Sequence, residues 1–587
     1  MKLRYITMAA IVAASMAATS CSDSFLDEKI YSSYTPGVTD SKSELVGLYR
    51  LYAGFWGASW PQGLHAAFQV GTDVAVSAGT EGTEIPMYQY GQLTKDSQFP
   101  GFIWERFYEF INNANLIISK QEALGDQADK AVIAEAKFFR AYAYDQLVTY
   151  FGNPKADLGV ILLTEANTDT PHTDYTRAKI SEVDKVIDED LQYAIENLPN
   201  VDEAAEQSRA NKDMARQLAG QAYLRMGLRD NSYYAKAEKA LTDIIDSGKY
   251  KLIESRYGVK TGQPGDYFSD MFRYGNMRRS QGNTETIWTF EMEFNKDVNG
   301  GMIDYPQQRR VWGAAIHNLP GFVNADSIGG RGVYRLRTSN FIKYGAYSEG
   351  DIRNSNYTMR RTLWLNKKDF SQEYALDKDG FRVDKGSSDA VPGTEFTMKT
   401  GDKYVVAKDD SLNRFSPYTL KWGQYDPDDD FGYGMVKDWP LMRLGETYLL
   451  RAEARFRQGN YSGAAEDINK LRDRAFKEYR AAGHPGAGAV NASDVQNGGI
   501  DFILDERARE LFGEENRRYT LMRTQTLAER LKNYADNYPE ANKYGNGKNC
   551  PADKMISGFN ENKAIFPIPQ TEIDLNKDAK LEQNPGY

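Results

Sequence analysis

Hydrophobic positions recur at three-to-four spacing towards both ends of the chain and lose that rhythm in the middle. Over 103–119, "IWERFYEFINNANLIIS", Trp104, Tyr108, Ile111 and Asn115 fall on one stripe, which predicts a helix. The following "EAKFFRAYAYDQLVTYFGNP" continues the pattern through Phe138, Tyr142 and Phe151, and Gly152 with Pro154 supplies the stop. Residues 209–228 and 233–247 read as a helix pair. A similar pair spans 438–476. Leu441, Leu444, Tyr448, Ala452 and Phe456 line one face, "GNYSGAA" makes the turn, and Ala464, Ala465, Ile468 and Leu471 follow on the second helix. Residues 256–435 lack helical periodicity and are rich in Gly, Asp, Asn, Tyr and Arg. Within them "ETIWTFEMEF" (285–294) and "KYVVAK" (403–408) alternate as brief strands do. A second loop-rich stretch runs from 55 to 100.

The helix pairs look like tetratricopeptide units, which bury their faces only by stacking and place small residues where helices cross. The fold class expected is therefore mainly α: a tetratricopeptide-like scaffold of helical pairs, with a loop-rich subdomain containing short β-strands. The aromatic content argues against disorder in the middle region, and long irregular stretches in an ordered protein tend to carry function.

The N-terminus changes the picture. Lys2 and Arg4 precede an apolar run over 5–18, too short for a bilayer span of ~20 residues. The run ends in Ala18, Thr19, Ser20 and Cys21, which has the form of a secretory signal. It looks like the lipobox of a bacterial lipoprotein, whose cysteine thiol is acylated, palmitate included, and becomes residue one. Multiple acyl chains at about 0.8 kcal/mol per buried CH₂ make such an anchor stable. Ser22, Asp23, Asp27 and Glu28 follow as an acidic leash. With Cys21 acylated, only Cys550 remains, so no disulfide forms within the mature chain. A net charge of -10 without any sustained Lys/Arg run argues against a nucleic-acid partner.

Several segments, in order, resemble the SusD/RagB family of outer-membrane nutrient-binding lipoproteins. They are "CSDSFLDE" at the acylation site, Trp104, Tyr108, Ile111 and Asn115 as W-x3-Y-x2-I-x3-N, and "FFRAYAYDQLVTYFGNP". Then come "MRLGETYLLRAEARFRQG" with "INKLRDRA", "ERARELFGEENRRYTLMR", and the terminal "FPIPQTEIDLNKDAKLEQNPGY". The resemblance covers nearly the whole mature chain. Glu515, Arg518 and Thr520 depart from the family's common Gly, aromatic and Asp, and "NPKADLGVILL" replaces a tighter turn; these departures concern local packing. The resemblance implies a signal peptide over 1–20, an N-terminal helical region over 21–255, a loop-rich ligand-binding region over 256–435 and a C-terminal helical region over 436–587. It also implies a lipid anchor in the outer membrane at the cell surface, a polysaccharide or oligosaccharide ligand, a SusC-like TonB-dependent transporter as partner, and no catalysis. Peptide capture, as in some RagB-type relatives, stays open.

The residues themselves offer little for an enzyme. The four histidines, His65, His172, His317 and His484, are dispersed, and no G-x-S-x-G, Walker loop or G-x-G-x-x-G occurs. A glycosidase needs only two carboxylates, so a surface hydrolase stays open among 82 acidic residues. No cofactor is implied. Asp426, Asp428 and Asp430 in "YDPDDDFGYG" alternate as calcium ligands do, but Gly432 and Lys437 break the EF-hand spacing. They read as a solvated acidic turn or a structural calcium site. Glu506 and Glu510 share a helix face that Arg443 or Arg472 reaches, and Glu514 with Arg518 stands at i,i+4 spacing. These pairs, with Arg474 and Arg523, read as scaffold.

A sugar ring stacks on an exposed aromatic and gives its hydroxyls to a few polar groups. Loop segments carrying both are the candidate carbohydrate site. "GFWGASWPQGLHAAFQVGTDVAVSAG" offers Trp56, Trp60 and Asp73. "YPQQRRVWGAAIHNLPGF" offers Tyr305, Arg309, Arg310, Trp312, His317 and Asn318. Trp312, between arginines and small residues, is the expected platform, with Trp364 and Tyr433 as weaker ones.

Overall fold

The computed structural model describes residues 40–57, 62–166, 172–204, 206–292, 308–323, 325, 328–407, 415–423, 437–537 and 556–587. Among the described residues no helix is long and apolar enough to cross a membrane. The fold is mainly helical, with short strands in small two- and three-stranded sheets, as the periodicity predicts.

The helices form one continuous stack. Helix Gln98–Glu122 packs on Lys130–Phe151, which packs on Ile180–Asn197, then Lys212–Met226 and Ser232–Ile245. Ser232–Ile245 packs in turn on Leu444–Arg457, whose partners are Tyr461–Ala475 and Ala492–Leu511. Lys130–Phe151 is buried nearly all round, enclosed by its neighbours, with its buried charges Arg140 and Asp145 paired to Asp190 and Arg225. Its first turn is capped by the Asp129 carboxylate, which accepts from Ala131 N and Val132 N. Small residues sit where helices cross. A Cβ on Gly220 would meet Leu241 Cδ2 at 2.7 Å, so only glycine lets Lys212–Met226 lie this close to Ser232–Ile245.

The stripe at 104–115 is structural throughout. Trp104 and Ile111 are buried, and Tyr108 OH donates to Ile161 O at 2.8 Å. Asn115 Nδ2 donates to Leu163 O and Glu165 O, both at 3.0 Å, and Asn115 Oδ1 accepts from Arg140 Nη1 at 2.8 Å. One side chain thus ties two helices to the crossing loop.

Three expectations change. Residues 439–443 form strand Trp439–Arg443, paired antiparallel with Thr286–Phe290, and the helix begins only at Leu444. Pro440 lacks an N–H and biases Trp439 to extended backbone, so Leu441 belongs to the sheet. "TIWTF" is the strand its alternation suggested, and Trp288 stacks on Tyr52 at 4.8 Å in the helical core. Over its described residues 403–407, "KYVVAK" makes single bridges, Lys403 to Trp364 and Ala407 to Arg382. Its backbone divides between two neighbours, Leu363 on one side and Arg382 on the other, so no ladder forms. Glu514 and Arg518 do not pair, because Gly513 at φ 82° ends one helix and Asn516 caps the next. Arg518 instead donates to the carbonyls of Ala67, Val70 and Met87. Glu515 receives Arg507 and Arg517, and Thr520 Oγ1 donates to it at 3.0 Å; two of the three departures from the family pattern, Glu515 and Thr520, thus bond to each other.

Glu506 and Glu510 do meet Arg472 and Arg443, at 2.7 and 2.6 Å. Arg353, buried in the loop-rich region, joins them at 2.8 Å to Glu506 and 3.1 Å to Glu510. Arg474 binds both Glu285 and Glu510. Burial alone would raise the Glu510 carboxyl, but Arg474, Arg443 and Arg353 offset it and bring the group well below the usual carboxylate range. Removing one partner of such a buried lattice leaves uncompensated charge, at a cost of about 3–5 kcal/mol. Arg474→Met should therefore lower the urea midpoint by that equivalent, whereas exposed Lys239→Met, which loses only an i,i+4 pair with Asp243, should stay within about 0.5 kcal/mol of the parent.

Candidate functional site

The two loop segments singled out from the sequence come together. Strand Ala75–Ser77 pairs antiparallel with Leu336–Thr338, Val76 opposite Arg337. Short helices Gln62–Ala67 and Gln308–Trp312 pack beside this ribbon. Gln308 Nε2 donates to Trp56 O at 3.3 Å and lies 3.3 Å from His65 Nδ1. Residues 331–335 run between the two segments. Gly79 N donates to Tyr334 O, and Tyr334 N donates to Gly313 O, both at 2.9 Å.

Most of the candidate side chains form the floor of this junction rather than its surface. Trp312 is 4% exposed and packs edge-on against Phe512 at 5.0 Å, in a cluster with Trp422, Trp439 and Phe341. It has no open face for a sugar, and the expected platform is a core anchor. Trp56 is half-buried, 5.3 Å from the Phe68 ring and 5.5 Å from that of Trp439. Arg309 is buried and Arg310 half-buried.

Asp73 is buried and fully engaged. Arg517 binds its two oxygens at 2.8 and 2.6 Å, and Arg530 binds Oδ2 at 2.6 Å. Burial pushes the Asp73 carboxyl up, but Arg517 and Arg530 outweigh it and keep the group well below its ordinary range. Asp73 is thus a structural anion, set beneath a cavity of about 300 Å³ that Phe341, Asp505, Asn533 and Tyr534 also line.

The surface of the junction is polar. Asn318 is exposed and His317 half-buried. Burial, and then the charge of Arg331, lowers the His317 pKa, which favours the neutral imidazole that both donates and accepts. Arg335 donates to Gln62 Oε1 at 2.7 Å and pairs with Glu81 at 2.8 Å, and Gly63 N donates to the other Glu81 oxygen at 2.9 Å. Gln62, Glu81 and Arg335 carry no sequence signal of a site; only the strand pairing assembles them. Carboxylate, guanidinium, imidazole and amide together match hydroxyl groups that both donate and accept.

Cys21, Trp60, Tyr305, Tyr433 and the acidic triplet Asp426, Asp428 and Asp430 lie outside the described residues. Among the described residues no group of three or more His, Cys, Asp or Glu is placed to hold a metal ion. Trp364 is 49% exposed; with Tyr344 and Tyr357 it makes up the exposed large aromatic side chains of the described residues, all within 344–364.

Two family models match. One, described as the SusD family, covers residues 337–587, and the other, described as starch-binding and associating with the outer membrane, covers 24–224. The starch-binding protein SusD of Bacteroides thetaiotaomicron is 24% identical over 548 residues, 88% of this chain and 84% of that protein. Among solved structures, a SusD homologue from the same species superposes with a TM-score of 0.66 at 19% identity, covering 93% of this chain and 96% of its own. Surface glycan-binding protein A from Bacteroides fluxus does so at 0.62 and 20% identity, covering 94% and 100%.

Two outcomes follow from the floor of the junction. Trp312→Ala should destabilise the fold by about 3–5 kcal/mol, read as a lower denaturation midpoint, because it opens a cavity against Phe512. Asp73→Asn should cost about 3–5 kcal/mol at neutral pH. An acid with a depressed folded pKa stabilises above its unfolded pKa, and that stability is lost as pH falls from about 4 towards the folded value. The difference between parent and Asp73→Asn should therefore narrow below about pH 4 in urea titrations run across the acid range.

Proposed function

Because the chain belongs to the SusD/RagB family, we propose that it is a glycan-binding lipoprotein of the outer-membrane surface. It is anchored through Cys21, captures oligosaccharide or polysaccharide without chemistry, and passes it to a SusC-like TonB-dependent transporter. The helical stack serves as the rigid support, and the loop junction holds the sugar. The observation that carries this reading is the convergence of 62–81 with 308–338, where Ala75–Ser77 pairs with Leu336–Thr338 and Arg335 bridges Gln62 and Glu81 beside a cluster of packed aromatic rings, with His317 and Asn318 on the same 308–338 segment. A site positioned by a rigid scaffold but built on loops is the usual arrangement for recognition. Starch binding in the SusD relative supports glycan as the ligand class. Tethering two binders at one membrane raises effective concentration, so modest affinity for each sugar suffices.

Affinity electrophoresis of the purified chain in gels containing starch, laminarin or other neutral glycans tests the reading, with peptides in parallel. Retardation by a glycan is expected. Asn318→Ala and His317→Ala should each weaken it about fivefold, the equivalent of one net hydrogen bond of about 1 kcal/mol. Binding of peptides with no retardation by any glycan would replace this reading with peptide capture.

A further inference from the structure

A cleft of about 420 Å³ opens among the helices, and none of the loop-junction residues lines it. Its walls come from the end of Lys130–Phe151, the start of Ile180–Asn197 and the chain at the end of Lys212–Met226. The turn between helices Arg517–Arg523 and Leu527–Asn537 and the segment 561–565 complete them. That turn is tight: Gln525 takes φ 57°, and Thr526 N donates to Leu521 O at 2.9 Å, so one helix ends and the next begins within a few residues. Val148, Ile180 and Leu527 in the lining are buried in the helical core. Ile565 is half-buried, and Pro154 and Pro585 are exposed, so apolar surface remains open to an occupant.

Each Lys and Arg among the described lining residues is paired. Arg225 Nε donates to Asp145 at 2.8 Å and its Nη1 to Asp184 at 2.7 Å. Arg229 pairs with Asp184 and, at 3.3 Å, with Asp157. Arg523 holds Glu453 through both terminal nitrogens, at 3.0 and 2.7 Å. Lys155 pairs with Glu561 at 3.0 Å on the solvent side, and Glu529 is exposed to water. The cleft therefore has no positive charge in excess to hold an anion.

What it lacks is an acceptor. Thr149 Oγ1 and Arg225 Nη2 are buried and have no hydrogen-bond partner among the described residues, and both side chains line the cleft. Their residues are 6% and 8% exposed. Thr149 stands one helical turn beyond Asp145, so both lie on the face of that helix which Arg225 meets. Buried polar groups nearly always find a partner. Here two of them border a space in the size range of small-molecule sites, where apolar walls and a few polar groups are the usual lining.

We propose that this cleft binds an uncharged amphiphile: an apolar body that carries a hydroxyl or carbonyl oxygen. The oxygen accepts from Arg225 Nη2 and Thr149 Oγ1, and the body lies against Ile565, Pro154 and Pro585. A charged head would be desolvated with no free counter-charge beside it, which is why the class is uncharged. The site is independent of the loop junction.

The probe is Nile red, an uncharged aromatic with one ring carbonyl, titrated by fluorescence into the purified chain carrying Cys21→Ser, so that no acyl group competes. A saturable rise in emission is expected. Displacement by 1-octanol should be at least about tenfold stronger than by octanoate or octylammonium, which carry the same chain with a charged head. Thr149→Val should weaken Nile red about fivefold, the equivalent of one hydrogen bond, without lowering the thermal midpoint, because it removes a hydroxyl that has no partner. Ala528→Phe, which fills the cleft from a half-buried helix position, should weaken it at least about tenfold. His317→Ala should bind Nile red as the parent does. No saturable rise would leave the two donors to water and overturn the proposal. So would a rise that Thr149→Val and Ala528→Phe both leave unchanged, or displacement by octanoate or octylammonium as strong as by 1-octanol. None of these failures bears on glycan retardation at the loop junction.

Discussion

The buried lattice of arginines and carboxylates is the constraint on which the rest of the structure depends. Glu506 and Glu510, one helical turn apart, receive Arg353, Arg443, Arg472 and Arg474. Those arginines come from a loop, a strand and a helix, so three separate pieces of chain converge on one turn of a fourth. A hydrophobic contact of the same size would tolerate sliding, because apolar burial is non-directional. Forked guanidinium–carboxylate pairs do not, since each has a preferred plane and distance. The lattice therefore sets where the loop-rich region sits on the helical stack.

The same principle recurs at the loop junction. Asp73 is clamped by Arg517, 444 positions later in the chain, and Arg518 caps the carbonyls of Ala67, Val70 and Met87. An irregular segment lacks the ladder bonds that would satisfy its own carbonyls. Buried arginines supply the missing donors, and this lets long loops stay ordered on a scaffold. Order in the loops is what allows Arg335 on one to meet Glu81 on the other.

The binding surfaces follow from what the scaffold leaves uncovered. Trp56, Trp312, Trp422 and Trp439 pack inward and give the loops a core of their own. Polar groups are left at the openings, and among the described residues the exposed aromatic rings lie within 344–364.

The scaffold was legible in the sequence because helix periodicity is a local property. The stripe through Trp104, Ile111 and Asn115, the paired helices with small residues at their crossings, and the shared face of Glu506 and Glu510 all depend on neighbours three or four residues apart. The family resemblance rests on the same segments. Exposure of a tryptophan in irregular chain is not local: Trp312 is covered by Phe512, which lies two hundred positions away. The capture of Asp73 by Arg517 and the pairing of Arg335 with Glu81 were likewise decided by tertiary contacts. Sequence by itself determined where helices form and which faces they bury; only the packed structure decided which loop side chains remain open to a ligand, because that depends on what the rest of the chain folds over them.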